Sequence, residues 1–353
     1  MSVTDKTAPD YIPTEAEMIE AFQPIRFYAL ATNLYHLTDS GMLDDLLTHG
    51  PTTAVAISER LGMDAQRVTE FLKYLRNEGY IEQNDNHFDL SAKGKAFRHH
   101  HSIYTFIIGG YGESLAQIGE KLQKDSGWVS RNWTKISIGS SDNARYDTPP
   151  VLRRLMTHVP GNSYRLLDIS CGNGGYLIDL CDAMPEIELA YGVDPSAESC
   201  AAAREAIAAK GLQDRIQIIN STNDELLDEG AESGVDIEPN LLILGYVLHD
   251  LLTEDGRNGV KRFLTQFTDR FDGLNLIVME IDDQRDAPGF VDHDYALAFY
   301  NYYYLLHGFI DQEVKQSSFW EEIFVEARLE IVAKEGIDST GWLPCYLLRK
   351  GGA

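Results

Sequence analysis

The stretch Tyr164–Leu180 reads YRLLDISCGNGGYLIDL and decides the fold. A short apolar run closes on Asp168, a turn carries Gly172, Gly174 and Gly175, and an apolar-periodic segment follows. That is the grammar of a strand, a tight turn and a helix. Glycine at such a junction lets the backbone approach a ligand closely. Twenty positions beyond Gly174, the run IELAYGV leads into Asp194 of GVDPS. An acid ending the second strand suits hydrogen bonds to ribose hydroxyls, although the glycine spacing is not the dinucleotide GxGxxG.

Working outward, IQIIN, NLLILGYV, LNLIVMEI, LEIVAKE and CYLLRK continue the alternation of short apolar runs with helical segments. Seven strand candidates with intervening helices predict an α/β fold, a parallel sheet covered on both faces. Asn220, Ser221 and Thr222 follow the third strand, where the adenine end of a nucleotide would lie.

Ahead of this region the texture differs. Helices are expected over Glu15–Leu34 and Leu37–Leu47. Residues 51–97 read as a helix (Thr53–Leu61), a second helix (Asp64–Glu78) and two short strands joined near Asn84–Asn86. This is the order of a winged helix. A groove-reading helix should be basic. Here Arg67, Lys73 and Arg76 are balanced by Asp64, Glu70 and Glu78, so a dimerisation and lid module is the better reading. Residues 101–155 are expected to be a helical connector with a polar turn at 139–143. The His99–His101 run at its start reads as exposed. The expected division is 1–100, 101–155 and 156–353.

The chain has 353 residues and a net charge of −25 from 55 acidic and 30 basic residues. Nucleic acid would be repelled by that field, and a cationic cofactor attracted. No apolar run is long enough to span a membrane, and MSVTDKTAPDYIPTE has no apolar core of a secretory signal. Cys171, Cys181, Cys200 and Cys345 show no CxxC spacing, which fits reduced thiols in a cytoplasm.

The Asp168–Gly175 turn with Asp194 resembles the D-x-G-x-G-x-G loop of class I S-adenosylmethionine-dependent methyltransferases. The likeness covers about residues 160–350, with Ser170 standing where that pattern has its first glycine. It implies a seven-stranded Rossmann-like sheet and a cofactor site at Asp168, Ser170, Gly172, Asn173, Gly174, Asp194, Pro195, Ser221, Thr222 and Gly245. LGYVLHDLL (Leu244–Leu252) ends the fourth strand at the carboxyl edge, where open α/β sheets bind ligands. A winged helix followed by HD at that place resembles the small-molecule O-methyltransferases. That likeness makes His249 a general base acting on a phenol, and Glu280 a carboxylate that could orient it.

DYALAFYNYYYLLHGF (Asp294–Phe309) adds His307 after a run of aromatics. With it the chain resembles the metal-dependent α-keto acid C-methyltransferases, which act at C3 of phenylpyruvate, 2-ketoarginine and related acids. That resemblance implies a divalent or trivalent ion, iron or zinc, on His249, Asp250 and His307, stabilising an enolate. The base for the C3 proton could be Asp250, a hydroxide or a tyrosine. Arg145 could clamp the substrate carboxylate or make a surface salt bridge. The acids from Glu280 to Asp294, with Tyr303 and its neighbours, could cage a guanidinium, which favours 2-ketoarginine. The expectation is a cytoplasmic, homodimeric C-methyltransferase of a small α-keto acid. The alternatives are a metal-free O-methyltransferase and a winged-helix regulator that senses the cofactor.

Overall fold

The computed structural model describes residues 11–161, 163–227 and 237–351. The side chains of 141 and 144–147 lie outside that description, Arg145 among them. Most of the acidic stretch 224–238 lies outside it too. The chain divides into two compact units, 1–112 with 132–140, and 113–131 with 141–353, so the expected connector contributes to both.

In the first unit, Thr14 and Glu17 form a capping box that opens the helix Glu15–Asp39. Helices Met42–His49, Ala54–Leu61 and Ala65–Asn77 follow, the last two capped by Thr53 and Asp64. Strands β1 (Thr52–Thr53), β2 (Ile81–Asn84) and β3 (His87–Leu90) form an antiparallel sheet in the order β1-β3-β2. Val68, Leu72 and Leu75, one face of the helix Ala65–Asn77, are buried with Leu37, Leu46, Ile57 and Leu90. The opposite face is neutralised locally. Lys73 pairs with Glu70 at 2.8 Å, and Arg26 reaches Glu78 at 2.9 Å.

The expected polar turn at 139–143 is a correction. It lies inside the helix Trp133–Met156. Gly139, which reads as a turn signal, is buried, and a Cβ there would meet the Phe106 backbone nitrogen at 2.4 Å. The glycine serves a close approach of two backbones.

The second unit is a seven-stranded sheet. Its strands are β4 (Tyr164–Ile169), β5 (Ile187–Asp194), β6 (Ile216–Asn220), β7 (Leu241–Gly245), β8 (Asn275–Met279), β9 (Leu329–Gly336) and β10 (Pro344–Lys350). The order is β6-β5-β4-β7-β8-β10-β9. All pairs are parallel except those of β10, which runs antiparallel to both β8 and β9. The central strands β7 and β8 are nearly continuous apolar runs because both of their faces are covered. Leu166, Ile243 and Ile277 pack on one side with Leu177 and Leu155. Leu167, Leu242, Leu276 and Val278 pack on the other with Leu264, Phe267 and Trp320. The four cysteines are buried free thiols. Among the described residues, no helix is long and apolar enough to cross a membrane.

Candidate active site

The turn after β4 is built by alternating left-handed residues. Ser170, Gly172 and Gly174 have φ of 60°, 56° and 71°. This explains why the pattern asks for glycine at the first of these positions. Ser170 holds the same conformation with a side chain, at a cost of about 1–2 kcal/mol. Gly174 also faces Ala203, whose Cβ would lie 3.1 Å from an added Cβ. The buried Asp194 carboxylate fastens the turn: Gly172 N–H donates to Oδ2 and Ser196 N–H to Oδ1, each at 2.9 Å. Asp194 thus ties the β4 turn to the β5 turn. Asn173 Oδ1 accepts from Gly175 N–H at 3.1 Å, and Pro195 is exposed.

Thr222 caps the helix Asn223–Leu227, accepting from Glu225 N–H at 3.2 Å, while Glu225 accepts from Thr222 N–H at 2.9 Å. Ser221 Oγ donates to the same carboxylate at 3.3 Å. Asp168 sits half-buried beside Asp194. Burial, reinforced by that second carboxylate, raises its pKa to about 7.

At the end of β7, Gly245 lies against Met279, whose Cε would meet an added Cβ at 3.2 Å. Tyr246 then turns the chain with φ of 59°, strain of the kind stored at functional sites. Its N–H is held by Met279 O at 2.9 Å. This turn starts the helix Leu248–Arg270 directly over Glu280. The buried Glu280 carboxylate accepts from Leu248 N–H through Oε1 and meets His249 Nδ1 through Oε2, both at 2.9 Å. One acid therefore satisfies a helix N-terminus and orients an imidazole, leaving His249 Nε2 outward. Burial lowers the His249 pKa, but the charge and hydrogen bond of Glu280, with Asp250, outweigh it and raise the value above the ordinary histidine range.

His307 arrives on the helix Asn301–His307. Its Nδ1 contacts Tyr303 O at 2.8 Å, and its ring lies 6.3 Å from that of His249 at 80°. Burial lowers its pKa to about 3, so the imidazole is neutral. His249, Glu280, Tyr303, His307, Glu313 and Lys315 line one pocket.

Asp250 is not among the residues lining it. Its carboxylate accepts from Gln312 Nε2 and stands 3.8 Å from His249 Nε2. Among the described residues no three histidine, cysteine or acidic side chains are close enough to hold an ion. Two of the three expected metal ligands, His249 and His307, thus line one pocket, each with Nδ1 held by an acceptor. The third is held by an amide.

The expected cage of acids also differs. Glu280 is engaged behind His249, and Asp282 is buried, accepting from Ser317 N–H at 2.7 Å and Gln284 Nε2 at 2.9 Å. Tyr300 and Tyr304 are core residues, donating to Asp338 and to Asp282 O. Tyr303 alone of the three borders the pocket, 4.0 Å from the His307 ring centroid.

Sequence reading missed Arg131 and Gln312. The Arg131 guanidinium, almost wholly buried, donates to Gln312 Oε1 and to Asp311 at 2.8 Å. Its positive charge is felt by both His249 and His307. Nothing in the local sequence around Arg131 signals this.

A glycine turn locked to the acid at the end of the next strand, beneath a sheet edge that presents an oriented histidine, defines a class I S-adenosylmethionine-dependent methyltransferase. The solved structure of the mitomycin 7-O-methyltransferase MmcR superposes with a TM-score of 0.63 at 17% identity, over 95% of this chain and 98% of that one. PigF with SAH matches at 0.63 and 17% identity, over 95% and 99%. No family model matches. The 2-ketoarginine methyltransferase of Streptomyces arginensis is 34% identical over 346 residues, 96% of this chain and 98% of that protein. The chain belongs to the family of that methyltransferase.

Proposed function

We propose that the enzyme transfers the methyl group of S-adenosylmethionine to C3 of an α-keto acid, and that the acid is 2-ketoarginine. The observation that carries this is the pair His249 and His307. Each has Nδ1 occupied by an acceptor and Nε2 left, and both line one pocket. The substrate follows from the relative's name. The cofactor rests on the Ser170–Gly174 turn, with Asp194 toward the ribose and Asp168 toward the cationic amino acid end.

A bound iron or zinc ion would supply Lewis acidity at the keto oxygen and so acidify the C3–H bond. His249 and His307 would hold it, joined by Asp250 once Gln312 releases that carboxylate. Glu280 fixes the His249 ring. A base, for which Tyr303 and Asp250 are the candidates, takes the C3 proton; the carbon then attacks the sulfonium methyl, and S-adenosylhomocysteine leaves with the electron pair of the broken S–CH3 bond. Alignment of these two atoms is the main contribution of the scaffold.

A second reading is metal-free O-methylation, with His249 Nε2 as the base. The His249–Glu280 pair favours it, since it needs no third ligand. Labelled cofactor with 2-ketoarginine and a panel of phenols, followed by mass analysis of the product, separates the two. Carbon methylation that stops on chelation and returns with added metal supports the first. A methyl ether formed in the presence of chelator supports the second.

The homodimer belongs to this proposal. Ile19, Phe22, Ile25, Phe27 and Tyr28 stand 52–66% exposed on the helix Glu15–Asp39, an apolar surface of the kind that marks an interface. Light scattering that gives a monomer mass at micromolar concentration would remove it. Action in the cytoplasm on a small molecule fits the acidic charge.

A further inference from the structure

We propose that Glu313 is the specificity-determining residue for the cationic end of the substrate, and that Lys315 occupies its carboxylate until the substrate arrives. This rests on the α-keto acid reading above.

The pocket that holds His249 and His307 is lined by two carboxylates, Glu280 and Glu313. Glu280 is taken by Leu248 N–H and the His249 ring. Glu313 is paired, among the described residues, with Lys315 two positions on. The wall carrying both is fixed by its backbone. Asp282 and Lys315 form a parallel bridge, and Asp283 N–H donates to Lys315 O at 3.1 Å. Side chains that project from this segment are therefore presented from a rigid edge rather than from a loose loop.

The Glu313 side chain is 68% exposed, so its pair with Lys315 is of the weak, solvent-screened kind. Lys315 Nζ also lies 5.4 Å from the Phe319 ring centroid, a second partner that remains if the carboxylate is released. A guanidinium matches a carboxylate with two parallel N–H donors, whereas an ammonium meets it as a point charge. A substrate that fills the pocket also displaces water and strengthens the new pair. The exchange is a swap of cations on one carboxylate, with no bond made or broken covalently. It assigns guanidinium selectivity to 313–315 rather than to the acidic run 280–294.

The test compares 2-ketoarginine with its neutral ureido isostere, 2-oxo-5-ureidopentanoate, using the full-length enzyme. Glu313→Gln should raise KM for 2-ketoarginine about 10- to 100-fold, the loss of a charge-assisted hydrogen-bond pair, with kcat within about threefold. The ureido acid should be unaffected, so the preference for the guanidinium collapses. Lys315→Met should lower KM for 2-ketoarginine by up to about fivefold, because the competing cation is gone. A guanidinium-to-ureido ratio unchanged in Glu313→Gln overturns this inference alone. A raised KM in Lys315→Met overturns the exchange, since Lys315 would then bind the substrate itself. Absence of turnover on both acids by the wild type removes the underlying activity and this inference with it.

Discussion

The cofactor half and the acceptor half of the site are built in opposite ways. The turn from Asp168 to Gly175 is one contiguous piece, and its shape is held by backbone groups: left-handed residues, and N–H donors converging on Asp194. The acceptor half gathers side chains from Arg131, from 249–250, from Glu280 and from 303–315, segments separated by up to about half the chain. Backbone geometry tolerates change of the side chains that hang on it. A cluster of side chains does not. Mutational sensitivity should therefore concentrate on the acceptor half.

The largest expected effect is His249→Ala. Both readings of the chemistry use this ring, and removing it should lower kcat/KM about 10²- to 10⁴-fold, the range of general acid–base catalysis. A variant within tenfold of wild type would place the chemistry elsewhere. His307→Ala comes next and discriminates more sharply. Loss of metal content together with an activity drop of about 100-fold or more is expected for carbon methylation. Normal activity there would favour the oxygen acceptor. Glu280→Gln should cost about 10- to 100-fold, because the ring it orients becomes free to rotate. An unaltered rate would mean that the orientation of His249 is set by something else.

On the cofactor half the effects are smaller. The raised pKa of Asp168 has a defined sign: on the proposed placement of the cofactor's cationic end beside this carboxylate, binding below pH 7 releases a proton. Affinity for S-adenosylmethionine should rise about tenfold from pH 6 to pH 8. Calorimetry in two buffers of different ionisation enthalpy detects the proton, and Asp168→Asn should flatten the dependence. Smallest is Ser170→Gly, which relieves the left-handed serine and should stabilise the protein by about 1 kcal/mol in denaturant melts. A destabilised variant would show that the hydroxyl compensates the strain.

Legibility in the sequence followed the same division. All seven apolar runs became strands, because strands covered on both faces need unbroken hydrophobic residues. The helix starts at Thr53 and Asp64 were readable, and each residue proves to be an N-cap held by a local bond. The glycine turn and Asp194 were readable for the same reason. His249, Glu280 and His307 were singled out by type and position, and the structure brings them together.

The features that stayed illegible were set by long-range burial. Gly139 reads as a turn and is a packing contact. Asp282 reads as part of a substrate-facing acidic run and is an internal acceptor. Gln312, which holds the Asp250 carboxylate, has no signal of its own. Arg131 and Glu313 are ordinary surface letters until the segment after His307 folds back beside 281–283.

The antiparallel strand β10 lies between β8 and β9, although both precede it in the chain. During synthesis β9 therefore has no neighbour to join, and β8 keeps one side bare, until residues 344–350 emerge from the ribosome. Completion of the sheet waits for β10, and unpaired edges of this kind invite mispairing with other chains. A purified chain truncated after residue 343 should be protease-sensitive through β8 and β9. Protection of those strands at that length would show that an alternative neighbour shields them on the way.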